Sequence, residues 1–368
     1  MAGGSGERFW PMSRKRRPKQ LLPLASDKMM LQESIERISP LIPAEDVFII
    51  TSAVLQEPIR EAMTFLPAEN VIAEPFKRNT APCLALAAAF IAEKYSAEFK
   101  PDEISIAVLT ADQCISPNEG FIETVKSALN YVEANPSLCT IGIVPDRPET
   151  GYGYIELAKP FIKDSKTSII NPIVKFREKP NVTQAQEFIE TGRFLWNSGM
   201  FFWRLDTFIN KMGKYLPEVG LRINDMAALY KGQTTIAHDG PYEEIKDIFE
   251  AFPDISIDYG LMEKADNVCV ANALFSWDDI GSWDSLDRVK QRDGNNNIVE
   301  GNTAVFDIKD SVIINGSKEN KIVFAGFGLE GMVAVITDDA VLVCPKDRVQ
   351  EVKKCVEILK KSGGDKWL

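Results

Sequence analysis

The chain has 368 residues, 45% of them hydrophobic and 26% charged, with a formal net charge of −11. That length builds one large core and a smaller second unit. The acidic balance excludes a general nucleic-acid surface, which needs basic charge spread over a face, and no run approaches the roughly eighteen apolar residues of a membrane-spanning helix.

The chain opens on a glycine loop, Gly3-Gly4-Ser5-Gly6, and the stretch from Arg8 to Lys19 then carries six positive charges and no negative one. Backbone N–H groups leading into fixed cations suit a polyphosphate. Arg14 to Arg17 read equally as a solvated charge run. Arg8 and Lys19 stand apart from it, beside the loop and beside Pro18. The loop is not a Walker sequence, since Glu7 follows Gly6, nor a dinucleotide fingerprint, since Phe9 stands where its third glycine belongs. Such a loop hangs from the end of a buried strand, yet only Met1 and Ala2 precede it here. A chain that begins several residues upstream is expected, because an unpaired slot inside a sheet is destabilising. No signal peptide is expected.

Further along, Val47 to Thr51 reads as a buried strand, residues 54–66 as a helix and Val71 to Glu74 as a short strand. Asn79 is a candidate N-cap for an Ala/Leu-rich helix with Pro82 in its first turn. Ile104 to Leu109 is a strand running into Thr110-Ala-Asp112, residues 118–134 form a helix and Thr140 to Val144 another strand. This rhythm predicts a Rossmann-like α/β fold, a mostly parallel mixed sheet with helices on both faces. Ligands in such sheets bind beyond the carboxyl ends of the strands, where Glu74 and Asp112 fall. After residue 150 the texture is mixed, with β-runs at Tyr154–Leu157, Val174–Glu178 and Met200–Arg204 and a helix over 183–191. Phe201, Phe202 and Trp203 read as core.

Asp293-Gly-Asn-Asn-Asn-Ile is the best linker. It divides a catalytic unit, 1–292, from a small β-rich unit, 293–368, that ends in a helix over 347–361; a left-handed β-helix is one form that unit could take. Its texture suits subunit contact, so removal of it is expected to leave a soluble catalytic core. The six cysteines contain no CxxC pair and read as free thiols in a cytoplasmic protein. The single histidine, His238, sits in a segment that reads as a surface loop. Histidine-based nucleophilic catalysis and multi-histidine metal sites are thereby set aside, and metal chemistry falls to carboxylates, which suit Mg²⁺.

The run Ala2-Gly-Gly-Ser-Gly-Glu-Arg-Phe-Trp-Pro-Met-Ser-Arg14 with Pro18-Lys-Gln20 resembles the signature of the sugar nucleotidyltransferases. Seven more blocks agree in order: Glu74 to Pro82, Ala111-Asp-Gln113, Arg147 to Tyr154, Phe176 to Pro180, Trp196 to Phe201, Ser256 to Lys264, and Trp277 to Trp283. They are similar to mannose-1-phosphate guanylyltransferases over essentially the whole chain. The resemblance implies a glycosyltransferase-A-like catalytic fold and the reaction of GTP with mannose 1-phosphate to give GDP-mannose and pyrophosphate. The enzyme would be a cytoplasmic homo-oligomer, a dimer, with no nucleic-acid or membrane partner.

It also implies site roles. Arg8 and Lys19 act on the phosphates, with Gly3, Gly4, Ser5 and Gly6 around the triphosphate. Asp112 and Asp279 hold Mg²⁺, Asp278 being the turn residue of its pair. Arg78, Asn79 and Thr80 meet the base, although a simple N-cap explains Asn79 equally well. Gly151, Glu178, Lys179 and Asn197 match the positions that hold the sugar phosphate, a surface ion pair being the other reading of Glu178 and Lys179. Gln113 stands where such enzymes usually have histidine, which leaves the neighbouring aspartate intact. A sugar phosphate is already ionised at neutral pH, its second pKa lying near ~6, so no histidine base is required.

Two other readings stay open. One is a nucleotidyltransferase for another NTP or hexose 1-phosphate, against which the Arg-Asn-Thr-Ala-Pro block speaks. The other is a catalytically silent paralogue that senses sugar nucleotides, against which Arg8, Lys19, Asp112 and Asp279 speak together. A fused phosphomannose isomerase segment, present in some such enzymes, is not expected here.

Overall fold

The computed structural model describes residues 1–4, 6–162, 165–177, 179–231 and 242–368. Ser5, Glu178 and the loop assigned around His238 lie outside the described residues.

Two β-branched runs, Ile49–Ser52 (β1) and Val71–Glu74 (β2), pair in parallel from Ile49–Val71 to Ser52–Glu74. Helices Met30–Ile38 (α1) and Ala53–Ala62 (α2) cover them through Leu31, Ile35, Leu55 and Ile59. On the far side of β1 stands Ser105–Val108 (β3). Between β1 and β3 the start of the chain takes the place of a strand. The Ala2 amide donates to the Ile50 carbonyl at 3.1 Å, and the Met1 ammonium donates to the Leu109 carbonyl at 2.9 Å. An apolar cavity of about 380 Å³ lies beside these two residues, lined by Ile49, Ile50, Ile106 and Val108. The glycine loop leaves this slot at the level where β1 ends.

Thr80–Lys94 (α3) is capped by the Asn79 side chain, which accepts from the Thr80 amide at 3.0 Å. Its alanines let it bury almost its whole circumference, from Ala81 to Ile91. Past β3 come Cys114–Ser116 (β4), the helix Asn118–Ala134 (α4) and the fully buried strand Leu138–Ile143 (β5). Tyr154–Leu157 (β6), Ile170–Arg177 (β7), the long strand Phe194–Arg204 (β8), Val268–Asn272 (β9) and Ser276–Asp278 (β10) follow.

The main sheet runs β3-β8-β5-β9-β7-β6. Phe201 and Trp203 pack against the α3 side, Trp196 and Phe202 against the α4 side, so β8 is buried on both faces. The α/β class with a mixed sheet therefore holds, but parallel pairs do not predominate. Among the described residues of this sheet only β5–β9 is parallel; β3–β8, β5–β8, β6–β7, β6–β8 and β7–β9 are antiparallel. The reason lies in β8, which returns from the second half of the catalytic unit to sit between β3 and β5.

The C-terminal strands Ile298–Glu300 (β11), Thr303–Lys309 (β12), Val312–Asn315 (β13), Phe324–Glu330 (β14) and Met332–Ile336 (β15) alternate between two parallel ladders, β11-β13-β15 and β12-β14, and Val341–Pro345 (β16) closes the first antiparallel. This is a parallel coil of the β-helix kind. It does not stand apart. Val312, Ile314, Val333 and Val335 share one core with Phe9, Leu22 and Trp283 from the other unit. The Trp10 indole donates to the Trp367 carbonyl at 2.8 Å, and Lys360 pairs with Glu7 at 2.7 Å. An independent catalytic core is therefore not what the packing supports, since removal of the coil bares the apolar residues beneath the glycine loop.

Candidate active site

The short antiparallel pair β4–β10 builds the centre. It sets Asp278 opposite Cys114, so the residues just beyond, Asp112 and Asp279, emerge on one edge. The glycine loop meets that edge from the other side and closes a cavity of about 250 Å³, lined by Gly4, Gly6, Arg8, Lys19, Asp112 and Asp279 among others. Gly6 has φ 61°, and a Cβ there would stand 2.5 Å from that of Lys19, so only glycine lets the loop lie on the lysine.

Lys19 is 8% exposed. Its Nζ donates to Asp112 Oδ2 at 3.0 Å and to the Asp279 carbonyl at 2.5 Å. Burial raises the pKa of Asp279, while a hydrogen bond from Tyr152 and the charge of Lys19 act against that rise. Arg8 reaches the Gly281 carbonyl only at 3.5 Å, and its buried Nε has no partner among the described residues. Its guanidinium is therefore largely uncommitted within the fold.

Asp278 is a different kind of residue from its neighbour. It is 6% exposed, accepts from Arg288 through both carboxylate oxygens and from the Ile280 amide at 2.8 Å. It holds the turn, in which Ile280 takes φ 42°, and so aims Asp279 at the cavity. The basic run also divides. Arg14 pairs with Asp339 of the C-terminal coil at 2.7 Å, whereas Lys15, Arg16 and Arg17 are exposed.

The residues assigned to the sugar phosphate come together in part. Gly151 is exposed, and its amide donates to Glu149 Oε1 at 3.0 Å. Tyr152, next along, donates to Asp279 Oδ1 at 2.6 Å and packs edge-on against Trp196 and Trp277, both at 5.1 Å. Asn197 follows Trp196; its Nδ2 donates to Asp258 at 2.7 Å and its Oδ1 accepts from Thr140 and the Gly199 amide. Lys179 holds a left-handed backbone with φ 41°. Glu178 and Ser5 lie outside the described residues. Gln113, buried behind Asp112, donates to the Ser198 carbonyl at 2.7 Å.

The base-directed group is already engaged. Arg78 donates to the Glu250 carbonyl at 3.0 Å, the Asn79 side chain caps α3, and Thr80 Oγ1 accepts from the Ile257 amide at 2.8 Å.

The nucleotidyl transferase family matches residues 1–296. A mannose-1-phosphate guanylyltransferase of Escherichia coli K12 is 36% identical over 99% of this chain and 73% of its own length. The chain belongs to the nucleotidyl transferase family. Residues 301–359 match a second family, the mannose-phosphate isomerase/GMP-like β-helix domain. The alginate biosynthesis protein AlgA of Pseudomonas aeruginosa is also 36% identical, over 99% of this chain and 72% of its own. Among solved structures, a Thermus thermophilus protein described as a mannose-1-phosphate geranyltransferase superposes with TM-score 0.82 at 32% identity over 98% of each chain.

Two residues at this candidate site carry no signal in the sequence. Tyr152 lay inside a recognised block but carried no signal of its bond to Asp279. Lys353, from the C-terminal helix Val352–Lys361, lines the cavity, and nothing in its local sequence marks it.

Proposed function

We propose the following assignment of chemistry to the site. The chain transfers GMP from GTP to mannose 1-phosphate. A phosphate oxygen of mannose 1-phosphate forms a bond to the α-phosphorus of GTP, the bond from that phosphorus to the bridging oxygen breaks, and pyrophosphate leaves with the electron pair. The nucleophile is ionised at neutral pH, so the protein's task is alignment and cancellation of charge.

The convergence of Asp112, Asp279 and Lys19 on the glycine-loop cavity carries this reading. The loop amides and Gly3, Gly4 and Gly6 cradle the triphosphate, with Ser5 between them. Arg8 and Lys19 stabilise charge on the α-phosphate and on the departing pyrophosphate. Two hard carboxylates facing one cavity, beside an ammonium held by the Asp112 carboxylate and the Asp279 backbone carbonyl, fit a divalent metal bound through one or two carboxylates and substrate phosphates. Asp112 and Asp279 would hold it, as Mg²⁺, and it would supply further neutralisation of the phosphate charge. Gly151, Glu178, Lys179 and Asn197 receive the sugar phosphate, and Arg78, Asn79 and Thr80 frame the nucleoside end. The catalytic unit spans 1–292 and the β-helix unit 293–368. The enzyme works as a cytoplasmic dimer. Among the described residues no helix is long and apolar enough to cross a membrane.

Pyrophosphate release over a grid of four NTPs and three hexose 1-phosphates, with Mg²⁺, tests the reading. GTP with mannose 1-phosphate should be the most active pair; greater activity for another pair would overturn it.

A further inference from the structure

The β-helix unit reaches the glycine-loop cavity through one side chain, Lys353, at the start of the C-terminal helix Val352–Lys361. Its place is fixed from three directions. Val349 and Val352 lie in the core shared with Phe9 and Trp283. Gln350, three residues earlier, donates to the Ser282 hydroxyl at 2.8 Å, beside the Gly281 carbonyl that Arg8 reaches. Toward the other end of the helix, Lys360 pairs with Glu7, the neighbour of Arg8, at 2.7 Å. Clamped between the Glu7–Phe9 turn and the Gly281–Ser282 turn, the helix sets Lys353 at the Arg8 end of the cavity.

The charge of Lys353 is uncommitted. Lys354 pairs with Glu351 at 3.1 Å and Lys360 with Glu7, whereas Lys353 is exposed and has no ion pair or hydrogen bond among the described residues. Lys19 is held by Asp112 and the Asp279 carbonyl. Arg8 and Lys353, one from each unit, are therefore the lining cations without a carboxylate partner among the described residues. The opposite edge of the cavity, at Asp279, is tied through Tyr152 to the side assigned to the sugar phosphate. The attacked α-phosphorus must lie at that edge for the sugar phosphate to reach it. In-line displacement then sends the leaving group away from the sugar, toward Arg8 and Lys353.

We propose that Lys353 binds the β- and γ-phosphates of the nucleoside triphosphate and the pyrophosphate they become, so that the β-helix unit completes the catalytic site. The inference rests on the nucleotidyl-transfer reading above and extends it to a residue of the second unit. A lysine ammonium is a compact charge on a flexible stem, with three donors that can follow phosphate oxygens as the group departs. It keeps its protons throughout, and the contact involves only phosphates, which every NTP shares.

The test compares the full chain with Lys353→Ala and Lys354→Ala, in the forward direction and in the reverse, from GDP-mannose and pyrophosphate. Lys353 makes no polar contact among the described residues, so its removal leaves the fold in place. Lys353→Ala should raise KM for GTP and for pyrophosphate by about 10- to 100-fold, with KM for mannose 1-phosphate and for GDP-mannose moving less than about twofold. Lys354→Ala should leave all four unchanged. Calorimetry with pyrophosphate and Mg²⁺ should show the same loss of affinity in Lys353→Ala, with GMP binding unaltered. An unchanged KM and affinity for pyrophosphate, an equal rise for mannose 1-phosphate, or an equal effect of Lys354→Ala would overturn the proposal. Failure of the guanylyl reading is separately visible, as preference of the unmodified protein for another NTP; the pyrophosphate affinities would still decide the role of Lys353.

Discussion

The Tyr152 hydroxyl donates to Asp279 Oδ1 at 2.6 Å, so one oxygen of the carboxylate is held by an aromatic residue that is itself wedged between Trp196 and Trp277. The bond ties the nucleotide edge of the cavity to the Gly151–Asn197 side, where the sugar phosphate is assigned. Residues that orient a metal-binding carboxylate commonly matter ~10–100-fold in metal affinity or activity. Tyr152→Phe keeps the ring packing and removes only the hydroxyl. It should raise the Mg²⁺ concentration for half-maximal rate about tenfold and weaken Mn²⁺ binding measured directly. Unchanged metal titration would leave Tyr152 with a packing role alone.

The division of the basic run gives a second expectation. Arg8 is half-buried at the cavity, its Nε without a partner among the described residues, while Arg16 is exposed. Arg8→Ala should lower kcat by ~10²–10³, far more than it raises KM for GTP, and Arg16→Ala should cost little. Lys19→Arg should also be poorly tolerated, because a planar fork cannot replace a compact ammonium between Asp112 and the Asp279 carbonyl. Steady-state kinetics on the three variants check this. Equal damage from Arg16→Ala would mean that the run attracts anions diffusely.

Truncation near Asp293 should expose Phe9, Leu22 and Trp283 rather than release a stable core. Lowered thermal stability and aggregation are the expected outcomes. Within the full chain Trp283→Ala should cost about 3–5 kcal/mol, as for other large buried aromatic residues. A soluble, monodisperse and fully active truncated chain would show that the shared core contributes little.

Glu74, buried at the end of β2, makes stability depend on pH. Its folded pKa, about 7, lies above the ordinary 4.5, so the protonated form is the one the fold favours. The folded state is then penalised increasingly as pH rises from about 4.5 to about 7, by on the order of 3 kcal/mol in full. Glu74→Gln should therefore be more stable than the unmodified protein at pH 8, with the difference vanishing toward pH 4. Denaturant unfolding at both pH values measures it, and a pH-independent difference would contradict the burial argument.

The grouping of the loop with Arg8 and Lys19, proposed to meet the phosphates, was legible because they lie within one short stretch, where glycines and charges have local meaning. Asp112 and Asp279 were legible as residue types near strand ends, but not their meeting. That depends on the pairing of two three-residue strands, β4 and β10, too short for periodicity to reveal. Parallel predominance was over-read from the βαβ rhythm of the first 150 residues, since β3 and β5 take β8 as partner from beyond that region. The C-terminal coil was legible as β-rich. Its union with Phe9 and Trp283 was not, because shared burial between distant segments leaves no pattern in either. Glu74 was visible at a strand end, whereas the lack of a partner for its Oε2 among the described residues is a property of the packed interior.

Asp112 and Asp279 are proposed to act together with Lys19 on the nucleotide. GDP-mannose formation from GTP and mannose 1-phosphate, measured across a Mg²⁺ titration for Asp112→Asn and Asp279→Asn beside their melting temperatures, tests it most directly. A carboxylate-to-amide change keeps size and removes the charge a divalent cation requires. Each variant should melt within a few degrees of the unmodified protein and lose Mg²⁺-dependent turnover. Full activity in both folded variants would contradict it.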